Sequence, residues 1–334
     1  MTDPDRVLAT LLGTAVGDAL GLVTEGLSAK TIARRFGRVD RYHLLGRTGF
    51  VSDDTEQSAL VAQSLARHPG DPDACARAFR RSLLGWFLRL PWGVGLATVR
   101  ACCRIALGLS RSGVDSAGNG AAMRAAVVGA FLTDPQRRRA TSDALARVTH
   151  TDPRAVEGAR YVAEVAAAPR DLPTADVCTQ ALTVVDEPSL RAAIARGIAL
   201  ATEGAELHVA AAELGTTGFV VHTLGFATYA FVRWGYDPLR AIQEVIAAGG
   251  DTDSIGAIVG AWGGSRCGLA WIPPPLLDDL HDGPFGPTHL RSLANDLAAG
   301  RGLTARYSPL AAMLRNLALY PVVLAHGFRR LIPW

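Results

Sequence analysis

The sequence predicts an all-α protein built of many helices. Three observations lead there. Apolar residues recur at helical spacing in one segment after another, strand-type alternation is scarce, and Asp-Pro pairs fall where helices would start. With 334 residues, 49% of them hydrophobic, and a mean hydropathy of +0.18, the chain has ample material for one large core.

The periodic segments are 7–21, 55–67, 75–90, 120–132, 138–148, 154–167, 190–202 and 217–234, and the Asp-Pro pairs stand at 134–135, 152–153 and 237–238. In the first segment Gly13, Gly17 and Gly21 are four apart, so one helix face lacks side chains and admits another helix closely. Gly256, Gly260 and Gly264 repeat the pattern, and both helices are expected at the centre. The uncharged stretch 214–232 has bilayer length, but it contains His222, four threonines and three glycines, so it reads as a core helix with a satisfied histidine. No transmembrane segment is expected. After about residue 275 the character changes to PPPLLDD and GPFGP, followed by two short helical patterns. Residues 1–275 therefore read as the main domain. Residues 276–334 read as a helical extension that packs on it, self-associates or docks on a partner.

A net charge of +3, one lysine (Lys30) and no basic run interleaved with aromatics argue against a stable nucleic-acid partner. The five cysteines form no C-x-x-C pair, which excludes a zinc site of that type and fits a reducing compartment. MTDPDRVLAT lacks the basic start of a secretory signal, so the expected location is cytoplasmic.

Two acidic knots carry the chemistry. SDDT at 52–55 begins a helical segment, and Ser52 suits its N-cap. One cap needs one oxygen, however, and adjacent Asp53 and Asp54 repel each other unless a cation is near. GGDTDS at 249–254 places Asp251, Asp253 and Ser254 at another helix start, after two glycines that permit unusual backbone angles. Each cluster alone could be a cap. Together, with oxygen donors only, they point to hard divalent ions, and four carboxylates are enough for two ions with a bridging ligand. GNGAAMR at 118–124 has the composition of a phosphate-binding loop, in which Gly118 and Gly120 let amides approach and Asn119 both donates and accepts. A plain glycine turn is the competing reading.

The ordered set GDALGLVTEG (17–26), SDDTEQSAL (52–60), GNGAAMRAAVVG (118–129), THTDPRAVEGA (149–159), GFVVHTLGFA (218–227) and GGDTDSIGAIVGA (249–261) resembles the ADP-ribosylglycohydrolase family across about residues 7 to 275. The resemblance implies a single compact, orthogonal multi-helix domain with a dinuclear Mg2+ or Mn2+ centre that cleaves the N- or O-glycosidic bond of ADP-ribose. It implies Ser52, Asp53, Asp54, Asp251, Asp253 and Ser254 as metal ligands, with Ser52 where the family usually has threonine. Glu25, after the GDALG turn, would act on the leaving group or attacking water, or gate access; Val23 replaces a common proline there. Gly118, Asn119, Gly120 and Met123 would cradle ADP-ribose, and His150 would lie near the adenosine-side ribose. Arg124 reads as a structural partner of an acid, and Asp18, Arg100 and Glu157 as possible supports of the site.

The implied chemistry fixes the distal ribose through its 2- and 3-hydroxyls while the glycosidic bond breaks through an oxocarbenium-like state, with Glu25 transferring the proton. The expected substrate is an ADP-ribosylated protein side chain, arginine first, and the expected product is ADP-ribose. Two alternatives remain: ADP-ribosylated nucleic acid or small conjugates as substrates, and a non-catalytic ADP-ribose-binding or immunity module.

Overall fold

Helix after helix begins on a side chain that accepts its orphan amides, in a computed structural model that describes residues 3–300 and 302–331. The α-helices among these residues are α1 (Pro4–Gly21), α2 (Ala29–Arg35), α3 (Asp53–Arg67), α4 (Pro72–Phe87), α5 (Leu96–Ala106), α6 (Ala126–Phe131), α7 (Pro135–Ala146), α8 (Pro153–Ala167), α9 (Thr174–Ala181), α10 (Pro188–Thr202), α11 (Leu207–Leu214), α12 (Val220–Trp234), α13 (Pro238–Ala248), α14 (Thr252–Cys267), α15 (Pro274–Asp278), α16 (Pro287–Ala299) and α17 (Pro309–Leu331). Among the described residues there is no strand, only isolated bridges. The fold is all-α, as the sequence predicts. Asp134, Asp152 and Asp237 each cap a helix whose first residue is proline, the position where a missing N–H costs nothing.

The centre is the α1–α14 pair. A Cβ added to Gly13, Gly17 or Gly21 would strike the backbone of Gly260, Gly256 or Thr252, and one on Gly264 would strike Ala9. The two glycine stripes therefore bring backbone against backbone. By length and composition Pro4–Thr24 could cross a bilayer, with a mean hydropathy of 1.7, but 94% of its most apolar window is buried in this packing. The stretch at 214–232 supplies α12, whose Leu224, Phe226 and Tyr229 are fully buried; His222 bonds Thr217 at 2.8 Å and is only partly buried.

One segment departs from its expected form. Residues 120–132 do not make a single helix: a 3-10 turn at Asn119–Ala121 is followed by turns, and α6 starts only at Ala126. Arg124 is the cause. Its buried guanidinium takes the carbonyl of Gly120, an oxygen that a continuous helix would use itself.

Beyond residue 275, α16 packs on α1 and α3 and buries Leu290, Leu293 and Leu297 in the main core. Helix α17 lies across the start of α3. Arg315 forms an ion pair with Glu56, Asn316 donates to the carbonyl of Arg89 at 2.9 Å, and Tyr320 donates to that of Pro91 at 3.2 Å. Its outer face leaves Leu310, Leu314, Leu317, Leu324 and Phe328 exposed. All five cysteines are free thiols.

Candidate active site

The N-termini of α3 and α14 open into one cavity of about 600 Å³. Asp53 and Asp54 are the first residues of α3; Asp251 caps α14, and Asp253 and Ser254 sit in its first turn. The aspartates complement the positive ends of the two helix dipoles. Their positions follow from the glycine-packed pair, because α14 carries one cluster directly and α1 holds the other through Asp18. The fully buried Asp18 carboxylate accepts from the amides of Ser52 (2.9 Å) and Thr55 (3.1 Å) and from the Thr55 hydroxyl. Burial raises Asp18 to about 6, against the lowering effect of these hydrogen bonds.

Glu25 is placed by the same junction. The amide of Gly26 donates to the carbonyl of Gly250 at 2.7 Å, and that of Gly250 to Leu27 at 3.0 Å. Thr252 bonds the Gly21 carbonyl at 2.8 Å and the Thr24 hydroxyl at 2.9 Å. Gly249 and Gly250 adopt φ of +77° and +91°, and a Cβ on either would collide with neighbouring backbone, so glycine is required at both. The two acidic knots and the Glu25 turn thus meet although the chain separates them widely.

Eleven of the twelve residues expected at the site line this cavity: Glu25, Asp53, Asp54, Gly118, Asn119, Gly120, Met123, His150, Asp251, Asp253 and Ser254. Ser52 stands behind them. It caps α3 and donates to Asp54 Oδ2 at 3.1 Å, an atom that Ser254 also reaches at 3.3 Å, so one carboxylate oxygen joins the two clusters. Asn119 donates to Asp251 Oδ2 at 2.6 Å and to Thr223 at 3.1 Å, and its amide N–H is taken by the Gly218 carbonyl.

Arg124 makes no direct ion pair with the acids. It donates to Gln57 at 2.8 Å, and Gln57 in turn donates to Asp53 at 2.8 Å; its other arm reaches Thr149 at 2.6 Å, which bonds His150 Nδ1 at 2.8 Å. Burial lowers the Arg124 pKa to about 9. Burial, with the nearby guanidinium, lowers His150 to about 3, so its imidazole is neutral across the physiological range. Of the other suggested supports, Glu157 accepts from the amides of Asp186 and Glu187, just ahead of α10, and Arg100 is exposed on α5.

The sequence reading missed one wall, Gly93 to Thr98. PWGVG there offers the same signal as GNGAAMR, glycines just before a helix.

Burial raises Asp53, Asp54 and Asp253 well above the carboxylate range, and their acidic neighbours raise them further. Asp54 Oδ1 and Asp253 Oδ1 are buried without a hydrogen-bond partner. Among the described residues no three His, Cys, Asp or Glu side chains already converge on one point. What the site offers is an excess of buried, oxygen-only acceptors, two of them orphaned, and that donor chemistry fits hard divalent cations.

An all-helical fold with an acidic cleft at two helix N-termini is the class these features define. A family model described as ADP-ribosylglycohydrolase matches residues 1–306, and the chain belongs to this family: it is a glycosidic-bond hydrolase. The family is divalent-metal dependent and acts on ADP-ribosylated substrates. A protein of Archaeoglobus fulgidus with no assigned role is 33% identical over 290 residues, covering 82% of this chain and 91% of its own. The ADP-ribosyl-[dinitrogen reductase] glycohydrolase of Rhodospirillum rubrum is 27% identical over 294 residues, covering 84% and 92%. A solved ADP-ribosylglycohydrolase-related protein complex superimposes with a TM-score of 0.67 at 28% identity, covering 89% of this chain and 98% of that one.

Proposed function

We propose that the protein removes ADP-ribose from a modified protein side chain, arginine in first place, using two divalent cations, Mg2+ or Mn2+. The observation that carries this reading is the meeting of two buried aspartate-rich helix starts at one cavity, with Glu25 beside them. The similarity to a glycohydrolase named for an ADP-ribosylated protein supports the substrate class.

Asp53, Asp54, Asp251, Asp253 and Ser254, with Ser52 behind Asp54, would hold the cations. Bound there, the cations would supply positive charge to polarise and orient sugar oxygens. The remaining work falls to the chain itself. Asn119 fixes the Asp251 carboxylate, and the Asp18 carboxylate fixes the start of α3. Neutral His150 presents a hydrogen-bonding ring edge beside Gly118 and Gly120, where no Cβ fills the space, and Met123 gives that wall an apolar surface. Glu25, half-buried at the cavity edge, transfers the proton to the leaving group or from the attacking water. The catalytic groups all lie within residues 1–275, and residues 276–334 support them. Five free thiols are consistent with a cytoplasmic setting.

The test is a panel of ADP-ribosylated arginine peptide, serine peptide and DNA, each incubated with Mg2+, Mn2+ or chelator. Release from the arginine peptide that chelator abolishes is the expected result. Release from DNA alone would replace the substrate. Binding of ADP-ribose with no release from any substrate would make the protein a binding module.

A further inference from the structure

Beside the main cavity lies a second one of about 100 Å³, and α17 builds its outer wall. Leu22, Leu44, Trp92 and Val323 give it an apolar lining, and Glu25 and Gly93 belong to both cavities. Glu25 and Gly93 therefore stand at the boundary between the acidic cleft and an apolar recess. Gly93 adopts a φ of +78°, and a Cβ there would contact Asp53 Oδ1 at 3.4 Å, so the wall is thin at this point.

The recess is fixed in place. Leu22, Phe50, Trp92 and Leu319 form a small apolar cluster separate from the main core, with Leu44, Tyr320 and Val323 packed against it. Half-buried Arg315 pairs with buried Glu56, which sits one turn after Asp53 on α3 and also accepts from Trp86. The helix that supplies Val323 is thus pinned to the helix that supplies Asp53 and Asp54. The family match ends at residue 306, so this wall comes from a part of the chain outside it.

We infer that this recess binds a branched aliphatic side chain of the acceptor protein, next to the ADP-ribosylated residue, and so sets which modified sites are cleaved. The inference rests on the reaction proposed above. Charge and size select the occupant. Glu25 belongs to the cavity of the proposed reaction, and among the described residues the lining beyond it is apolar. An apolar cavity of about 150 Å³ takes up benzene, so this smaller one suits a leucine, isoleucine or valine side chain and excludes an indole. Leu44, Val323 and Gly327 are partly exposed, which leaves the recess reachable from solvent.

Two ADP-ribosylarginine peptides that differ only in a leucine or serine beside the modified arginine provide the test. The wild-type protein is expected to favour the leucine peptide about tenfold or more in kcat/KM. Gly327→Leu should abolish that preference. Gly327 lines the recess and a Cβ on it meets nothing within 4 Å, so leucine adds apolar bulk at the recess wall without a backbone clash, and in a helix it also relieves the conformational cost of glycine. Val323→Ala, which enlarges the recess, should weaken the preference in a protein that still folds. Inhibition by free ADP-ribose should be the same in all three. Equal kcat/KM for the two peptides in the wild type, or a preference that survives Gly327→Leu, overturns the inference. Should neither peptide be cleaved, titration of the same peptides decides it: tighter binding of the leucine peptide leaves the recess standing and removes the reaction, whereas equal affinities remove the recess.

Discussion

Replacing Asp253 by asparagine should stabilise the chelated protein while abolishing its stabilisation by metal. Asp253 is 5% exposed, its Oδ1 has no partner, and burial first, then Glu25, Asp251 and Asp54, push its carboxyl well above the usual range. A folded-state pKa above the unfolded value means that the folded chain binds more protons at intermediate pH, so this group destabilises the fold increasingly as pH rises. The chelated wild type should therefore gain stability as pH is lowered from 7 toward 5. An amide removes the buried charge and supplies a permanent N–H toward the Asp251 carboxylate. An unsatisfied buried polar group costs about 1–3 kcal/mol, and relieving it should raise Tm in chelator by roughly 2–5 °C. The assay is thermal unfolding of both proteins in chelator and in excess Mn2+. The wild type should rise with metal, since a ligand that binds only the native state stabilises it by mass action, and Asp253→Asn should start higher and rise little. A lower Tm in chelator together with an intact metal increment would refute the reasoning.

The glycine stripe, Glu25 and the buried histidine each give a further test. Gly17→Ala places a Cβ within 3.0 Å of the Gly256 and Ala257 backbone, which cannot rotate away, and should cost about 1–3 kcal/mol in denaturant unfolding. Gly85→Ala, whose Cβ would meet only Arg89 at 3.6 Å, should be neutral or slightly stabilising. Glu25→Gln should lower kcat by about 10²- to 10⁴-fold in the ADP-ribose release assay and leave ADP-ribose affinity nearly unchanged. Burial holds His150 at about 3 when folded, against the ordinary histidine value of 6.5 when unfolded, so its contribution to stability is lost as pH falls through that window, at up to about 1.4 kcal/mol per pH unit. In a pH series of unfolding curves, His150→Asn should flatten that slope.

Local signals made most of the helices legible. Asp-Pro starts, apolar periodicity and glycines four apart depend on neighbours in sequence, and α1, α3, α7, α8, α10, α12 and α14 formed where those signals lay. The acidic knots were legible because Asp53, Asp54, Asp251 and Asp253 hold more charge than capping explains. Tertiary choices were not legible. Arg124 breaks the segment at 120–132 by bonding Gly120 while it braces Gln57 and Thr149, partners 67 and 25 residues away. Asp18, Arg100 and Glu157 looked alike as possible supports; only Asp18 meets the amides of α3, because α1 passes beneath that helix start. The docking of α17 depends on Arg315 finding Glu56 across 259 residues, which no spacing announces.

Diffraction from crystals soaked in Mn2+ addresses the cation site most directly. Two anomalous peaks among Asp53, Asp54, Asp251, Asp253 and Ser254 are the predicted result, and both should vanish in crystals of Asp253→Asn. Full occupancy elsewhere with no peak in this cleft would contradict the assignment.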